Sequence, residues 1–173
     1  MLNHWPIQRI KFISFSSDHR YVQLFVLIFA GEVIFSLPFH IARFFRPAFL
    51  EALQISNTQL GDVFALYGVI AMIAYFPGGA IADYFSARKL MSASLFATAF
   101  GGVYFYSIPS VTGLCFLFAY FGLTSILLFW AAMIKATREW GGTQSQGMAF
   151  GVLDGGRGLI ASLAASVAVY VFA

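Results

Sequence analysis

Charged residues are scarce in this sequence, and their scarcity excludes a soluble domain. Only 10% of the 173 residues are charged, whereas 60% are hydrophobic. A soluble domain carries about 25% charged residues. The interior of so short a chain is too small to hide this much apolar surface from water, but a lipid bilayer accommodates it. The composition therefore predicts a membrane protein whose main partner is the bilayer.

The sequence also has almost no cysteine and none of the common catalytic motifs. Cys115 is the single cysteine, so an internal disulfide is excluded. No zinc motif, nucleotide-binding loop or nucleophile elbow is present. The run Gly155-Gly156-Arg157-Gly158 lacks the preceding strand and the Lys-Ser/Thr ending of a phosphate loop. We therefore predict no enzyme activity, no cofactor and no metal. The net charge of +3 is assigned to cations at membrane boundaries, not to nucleic-acid binding.

Long apolar runs fill the remaining sequence. A membrane-spanning helix needs about 20 mostly apolar residues, and the runs are joined by short polar loops without strand-like alternation. The sequence predicts an all-α, polytopic membrane protein in which a tail over residues 1–20 precedes a transmembrane domain over 21–173. Five spans are predicted, at about 21–45, 60–82, 90–108, 113–134 and 148–172. Ser56, Asn57 and Thr58 are predicted to cap the second helix.

The cations predict the orientation. With five spans, the basic residues before the first span, between the second and third, and between the fourth and fifth share one side: Arg9, Lys11, Arg20, Arg88, Lys89, Lys135 and Arg138. Cytoplasmic loops carry an excess of Lys and Arg. We therefore predict a bacterial inner (plasma) membrane protein with a cytoplasmic N-terminus, an uncleaved first helix and an external C-terminus.

The first span contains ionisable residues that a bilayer disfavours, by about 2.5–3.5 kcal/mol each on insertion scales. Glu32 lies near its middle and is interpreted either as a proton-carrying carboxylate or as a neutral, hydrogen-bonded structural group. His40, Arg43 and Arg46 follow at three-residue spacing on one broad helix face. They form a cationic lining for an anion or, in the alternative, extend to the headgroups; for Arg46 the second interpretation is preferred.

The fifth span contains Asp154 and Arg157, three residues apart among several glycines. A pair at this spacing can neutralise itself on one helix face. The alternatives are an internal ion pair or an Arg157 that binds substrate and exchanges partners, and we prefer the second. The glycines allow another helix backbone to approach closely.

The loop after the second span carries a recognisable spacing. Gly79 precedes Asp83 by four residues, and Arg88 and Lys89 follow about five residues later. This pattern resembles the signature between helices two and three of the major facilitator superfamily, although Tyr84 and Ser86 replace two of its usual residues. The resemblance implies that Gly79, Asp83, Arg88 and Lys89 act in a cytoplasmic gate.

The resemblance implies a fold and a function as well. The family has twelve helices in two six-helix halves, each built from inverted three-helix repeats, and five spans would be an incomplete N-terminal half. The layout is most similar to the organic-anion branches, including organophosphate:phosphate antiporters. The implied function is secondary active transport of a small anionic organic solute, driven by a proton or counter-solute gradient. In this interpretation His40, Arg43 and Arg157 contact the anion, and Glu32 and Asp154 serve proton coupling.

The five-span length leaves two further hypotheses. The chain is expected to be a fragment whose partner is the missing C-terminal half. The alternative is a short membrane protein that does not transport and has a binding, regulatory or assembly role. An intramembrane enzyme is the weakest hypothesis, because no nucleophile or metal set accompanies the buried charges.

Overall fold

The computed structural model describes residues 17–172, so most of the predicted tail over 1–20 lies outside the described residues. All regular structure in the described part is helical, which confirms the predicted all-α class. The helices are α1 (Ser17–Val33), α2 (Ile41–Phe44), α3 (Arg46–Leu53), α4 (Asn57–Tyr84), α5 (Ala87–Tyr106), α6 (Val111–Gly122), α7 (Ala131–Gly141) and α8 (Gln146–Phe172), with π-helical segments at Ser36–His40 and Leu123–Trp130.

Four continuous helical stretches in the described chain are long and apolar enough to cross a membrane: His19–Phe44, Asn57–Tyr84, Val111–Gly141 and Gln146–Phe172. They correspond to the first, second, fourth and fifth predicted spans. The third corresponds to α5, a 20-residue helix whose first turn contains Arg88 and Lys89, so its apolar part is shorter.

Two of the predicted boundaries differ from the structure. The stretch that matches the fourth predicted span continues to Gly141, beyond the predicted end at 134. Lys135 and Arg138 suggested a loop there, but α7 is amphipathic and buries Thr137 and Gly141 against its neighbours. The region after the first span, predicted as polar loop, contains the short helix α3, which buries Phe49.

Local signals explain where the helices begin and end. Ser56 caps α4 as predicted: its Oγ accepts a hydrogen bond from the backbone N–H of Gln59 at 3.2 Å, and Gln59 Oε1 accepts from the N–H of Ser56 at 2.8 Å. This reciprocal arrangement is a capping box. At the other end of the bundle, α7 stops at Gly142, whose φ of 60° belongs to the left-handed region that glycine tolerates best.

The stretch Val111–Gly141 runs through the centre of the bundle. Its α6 half packs on α4 and α5, and its α7 half packs on α1, α5 and α8. It contributes the fully buried Phe118, Phe121, Phe129 and Met133. Gly122 lies against the backbone of α4, where a Cβ would meet the carbonyl oxygen of Tyr67 at 2.9 Å. Small residues at such contacts allow membrane helices to pack closely.

Apolar side chains cover the outside of the bundle. Phe96 and Phe100 on α5 and Leu159, Leu163 and Phe172 on α8 are exposed. In the most apolar 18-residue stretch of α8, no residue is buried within the described structure. These surfaces fit a lipid environment.

Candidate functional site

The first span is not a regular helix, and its irregularity positions the charged side chains. Pro38 has no N–H to donate to the carbonyl oxygen of residue 34, so the α-helical pattern is interrupted there. The chain widens into a π turn in which His40 N donates to the carbonyl oxygen of Phe35 at 3.3 Å. Residues eight positions apart in an α-helix are offset by about a quarter of a turn. The wider π turn reduces this angular offset around the helix axis. The side chain of His40 therefore lies on the same side of the helix as that of Glu32.

Glu32 is the buried carboxylate of the site. Its side chain is 9% exposed, and its Oε1 lies 3.1 Å from Nε2 of His40. Its Oε2 lies 3.7 Å from Nε of Arg157. The structure thus brings together three of the predicted site residues, from the beginning and the end of the chain. A buried carboxylate needs such partners, because an unpaired charge is costly away from water.

Close helix packing brings Arg157 to this carboxylate. Gly156 lies against Ile28 of α1, where a Cβ would come within 2.7 Å of Ile28 Cδ1. Gly31 faces α8 in return, with Arg157 Cδ 3.1 Å from the position of a Cβ. Glycine at both positions lets α1 and α8 approach until Nε of Arg157 donates to the carbonyl oxygen of Gly31 at 3.1 Å.

Two aromatic rings hold the guanidinium of Arg157. Its Cζ lies 5.6 Å from the ring centroid of Phe35 and 5.6 Å from that of Trp130. Cation–π contacts of this length are favourable, particularly away from water. The sequence indicated neither aromatic residue as part of the site, because Phe is abundant throughout the chain. Trp130 ends the second π segment, and that context is visible only in the fold.

One edge of the Arg157 guanidinium remains available. A guanidinium has five N–H donors, and within the described residues Arg157 makes one hydrogen bond, from Nε. Nη1 is 3.6 Å from Asp154 Oδ1, beyond hydrogen-bond length. No buried side-chain nitrogen or oxygen in the described chain lacks a hydrogen-bond partner, so the terminal nitrogens without a partner are at least partly accessible. This edge has the geometry for bidentate binding of a carboxylate or phosphate.

Asp154 is much more exposed than Arg157 within the described chain. Its side chain is 71% exposed, whereas that of Arg157 is 17% exposed. The three-residue spacing does bring the two side chains together, but Glu32 is the buried acidic partner. The helical spacing predicted the local pair and gave no information about the partner on α1.

Two clefts meet at the cationic side chains, and His40, Arg43 and Arg157 line both. The first cleft has a volume of about 480 Å³ and adds Arg46 and the aromatic residues Phe35, Phe39, Phe64 and Trp130. We name it the aromatic cleft. The second has a volume of about 540 Å³ and adds Glu32, Phe44, Asp154, Ser162 and small residues of α8. We name it the α8 cleft.

The two clefts differ in charge. The aromatic cleft is lined by three arginines and one histidine, and no acidic residue of the described chain is among its lining residues. The α8 cleft balances two arginines with two carboxylates. Arg46, expected to extend to the headgroups, lines the aromatic cleft and donates from Nε to Asn57 Oδ1 at 2.9 Å. An anion is therefore attracted more strongly to the aromatic cleft than to the α8 cleft.

The four residues of the predicted gate lie apart from the charge cluster. Gly79, Asp83, Arg88 and Lys89 are exposed at the junction of α4 and α5. The close contact there belongs to the preceding Gly78, where a Cβ would meet the carbonyl oxygen of Leu127 at 3.0 Å.

Lys135 fixes the α4–α5 junction and was not predicted to do so. Its Nζ donates to the carbonyl oxygens of Ala82, Asp83 and Phe85 at 2.7, 3.5 and 3.4 Å. Cations favour the C-terminal end of a helix, where carbonyl groups lack intrahelical partners. The sequence predicted Lys135 on the same side of the membrane as Arg88 and Lys89, but only the fold shows which helix end it binds.

Comparison with known proteins gives a family match and several relatives. The Major Facilitator Superfamily model matches residues 25–173. Inner membrane protein YqcE of Escherichia coli (strain K12) is 29% identical over 157 residues, which are 91% of this chain and 37% of that protein. Inner membrane protein YihN of the same strain is 31% identical over 147 residues, or 85% and 35% of the two chains.

A more distant relative is the uncharacterized protein MG294 homolog of Mycoplasma pneumoniae, 23% identical over 155 residues, or 83% of this chain and 32% of that protein. No solved structure matches the chain significantly. The chain spans 37% and 35% of the lengths of the two Escherichia coli relatives.

Proposed function

This chain belongs to the Major Facilitator Superfamily, and on that basis we propose that it carries the anion-binding cluster of a secondary active transporter. It is a multi-pass inner-membrane protein of a transporter family. The proposed substrate is a small organic anion, moved by alternating access and driven by a proton or counter-solute gradient. Because the chain covers about a third of its Escherichia coli relatives, we assign the complete transport cycle to the whole transporter, with a C-terminal half as the partner.

The free edge of Arg157 is the observation that carries this proposal. The guanidinium donates from Nε to the carbonyl oxygen of Gly31 and packs against the adjacent rings of Phe35 and Trp130, and Arg157 lines both clefts. His40 and Arg43 line the same space. Arginine presents a planar fork that matches carboxylate and phosphate groups. A preorganised donor set of this kind binds an anion with little loss of side-chain freedom.

Glu32 provides a means of coupling. It is the buried counter-ion of Arg157 and His40, and a substrate anion would compete with it for Arg157. A displaced Glu32 would be left buried without its partner, and an unpaired buried charge is costly. We assign proton coupling to Glu32, with the exposed Asp154 as the group that exchanges protons with water. Anion binding and proton uptake would then accompany one another.

The gate is assigned to Gly79, Asp83, Arg88 and Lys89, in keeping with the family pattern they match. The hydrogen bonds from Lys135 to the end of α4 support a junction that moves as a unit with α7. The contact of Arg20 with Trp140 brings the start of α1 to the same end of the bundle. Cations collected at one end support a cytoplasmic N-terminus.

Uptake of a labelled organic anion by membrane vesicles tests the proposal. Arg157→Lys keeps the charge but loses the bidentate fork, and we expect at least about a tenfold loss of uptake at normal abundance in the membrane. Arg138→Lys, at an exposed arginine outside both clefts, is the matched control. Full uptake by the Arg157 variant would refute the assignment. Arg157-dependent binding without any flux would instead favour the non-transporting role.

A further inference from the structure

We propose that the substrate anion carries a flat, aromatic or apolar body, and that this body lies in the aromatic cleft while Arg157, His40 and Arg43 hold the anionic group. The inference rests on the proposed anion-binding function and specifies its substrate class. It selects aromatic and apolar anions over polyhydroxylated ones such as sugar acids and polyol phosphates. The observation that supports this inference is that Arg157 and four aromatic side chains line the same cleft.

The position of the anionic group follows from the residues that both clefts share. His40, Arg43 and Arg157 stand between the two spaces, so an anion bound to them can extend into either. The α8 cleft contains Glu32 and Asp154, which repel an anion. The aromatic cleft adds Arg46 and has no acidic lining residue in the described structure. Electrostatics therefore directs the rest of the molecule towards the aromatic cleft.

The wall of the aromatic cleft determines what body fits there. Phe39 stacks on Phe64, with ring centroids 5.5 Å apart and planes within 15°. Phe35 meets Trp130 edge to face at 6.2 Å. These rings offer flat apolar surfaces against which an aromatic body can pack.

The aromatic part of that wall offers few hydrogen-bonding groups, and the side-chain donors of the cleft otherwise belong to His40, Arg43, Arg46 and Arg157. The three phenylalanine side chains have none, and Trp130 can offer only its indole N–H. Hydroxyl groups of a polyol would leave water here without finding acceptors, and unpaired polar groups weaken binding. An aromatic body loses no hydrogen bonds on entry. The volume of about 480 Å³ falls within the range of about 300–1,000 Å³ typical of small-molecule sites.

Calorimetric titration of the purified full-length protein in nanodiscs tests the inference with probes matched in their anionic groups. Phenyl phosphate is compared with glycerol 3-phosphate, and benzoate with glycerate. We expect each aromatic probe to bind at least roughly tenfold more tightly than its hydroxylated counterpart. Equal affinity within the pairs, or tighter binding of the hydroxylated probes, would overturn the inference and leave the anion site standing.

Variants separate the two parts of the site. Phe64→Leu keeps an apolar side chain but removes a flat face, and it should weaken the aromatic probes several-fold without affecting glycerol 3-phosphate. Phe76→Leu, on the same helix at a side chain that is 81% exposed, should change neither. If Phe64→Leu alters both probes of a pair equally, the body does not lie in the aromatic cleft. If no probe binds, or if Arg157→Lys leaves binding intact, the proposed function fails and the inference fails with it.

Discussion

Arg157 contacts residues that are distant in sequence, and each contact restricts one part of its side chain. The carbonyl oxygen of Gly31 accepts from Nε, and the guanidinium packs against the adjacent rings of Phe35 and Trp130. Glu32 supplies the buried negative charge at 3.7 Å. Truncating one partner of a buried ion pair costs about 3–5 kcal/mol, because the other charge remains uncompensated. The cluster is thus both a structural joint between α1 and α8 and a candidate binding site.

At this scale, Glu32→Gln should make transport insensitive to proton concentration. The amide keeps the shape and hydrogen-bonding capacity of the side chain but cannot take up a proton when an anion displaces it from Arg157. Uptake by the unmodified protein should rise as pH falls, and uptake by the variant should not show this rise. Labelled-anion uptake in vesicles measures both.

Glu139→Gln provides the control for this substitution, since Glu139 is exposed near the end of α7. It should retain the pH dependence of the unmodified protein. A Glu32→Gln protein that still responds to pH would place the coupling group elsewhere.

The two π-helical segments are the elements that shape the site. Ser36–His40 brings His40 over Glu32, and Leu123–Trp130 ends at the tryptophan that flanks Arg157. The second segment is tied to its neighbours by hydrogen bonds. Tyr67 Oη and Ser125 Oγ are 2.7 Å apart, and Ser94 Oγ donates to the carbonyl oxygen of Thr124 at 2.6 Å. Irregular backbone persists at membrane depth only where such partners satisfy it.

Replacing Pro38 tests whether the first π segment matters. Pro38→Ala restores the missing N–H, so a regular α-helix can form and rotate His40 away from Glu32. We expect anion affinity to fall about tenfold, while the thermal stability of the protein stays the same or rises, because proline disfavours a helix interior. Calorimetric titration of the anion and a thermal melt measure the two quantities.

Pro77 offers a matched control on the second span. It lies inside α4, at an exposed position outside both clefts. Pro77→Ala should leave anion affinity unchanged. Equal affinities for the Pro38 variant and the unmodified protein would show that the π turn does not position the site.

On the scale of the whole molecule, the central stretch Val111–Gly141 joins two cores. One core contains Leu60, Phe118 and Phe121 around α4 and α6, and the other contains Phe129 and Met133 with residues of α1 and α8. The candidate site lies where α1 and α8 meet this central stretch. Arg20 and Trp140 close one end of the bundle by reciprocal hydrogen bonds of 2.9 and 2.7 Å.

The orientation of the whole molecule can be tested by cysteine labelling. With Cys115 replaced by Ser, Ser145→Cys between α7 and α8 should react with a membrane-impermeant maleimide only from the cytoplasmic side. Ser110→Cys, between α5 and α6, should react only from the outside. Both positions are exposed. The reverse labelling pattern would contradict the cytoplasmic N-terminus. Labelling of both cysteines from the same side would show that the stretch Val111–Gly141 does not cross the membrane once.

The sequence predicted the helical bundle well, because membrane spans are signalled by apolar runs of fixed length and their ends by capping residues. It predicted Ser56, with Asn57 and Thr58, as candidate caps of α4. It also identified Glu32, His40, Arg43 and Arg157 as ionisable residues within spans. These signals are local. They depend on residues within one helix and need no knowledge of which helices touch.

The partners within the site could not be predicted in the same way. Glu32 and Arg157 are far apart in sequence, and their contact depends on the close approach permitted by Gly31 and Gly156. Helical spacing indicated Asp154 as the partner of Arg157, since spacing reports only on neighbours in one helix. The sequence could not distinguish Trp130 from the many other aromatic residues, and only the fold shows its ring beside the guanidinium of Arg157.

A double-mutant cycle on anion affinity tests the central claim most directly, namely that Glu32 and a substrate anion compete for Arg157. The dissociation constant of phenyl phosphate is measured for the unmodified protein, Glu32→Gln, Arg157→Lys and the double variant. We expect Glu32→Gln to tighten binding several-fold when Arg157 is present and to have a clearly smaller effect beside Arg157→Lys, because coupled residues are non-additive. An equal effect of Glu32→Gln in both backgrounds, or none in either, would contradict the competition.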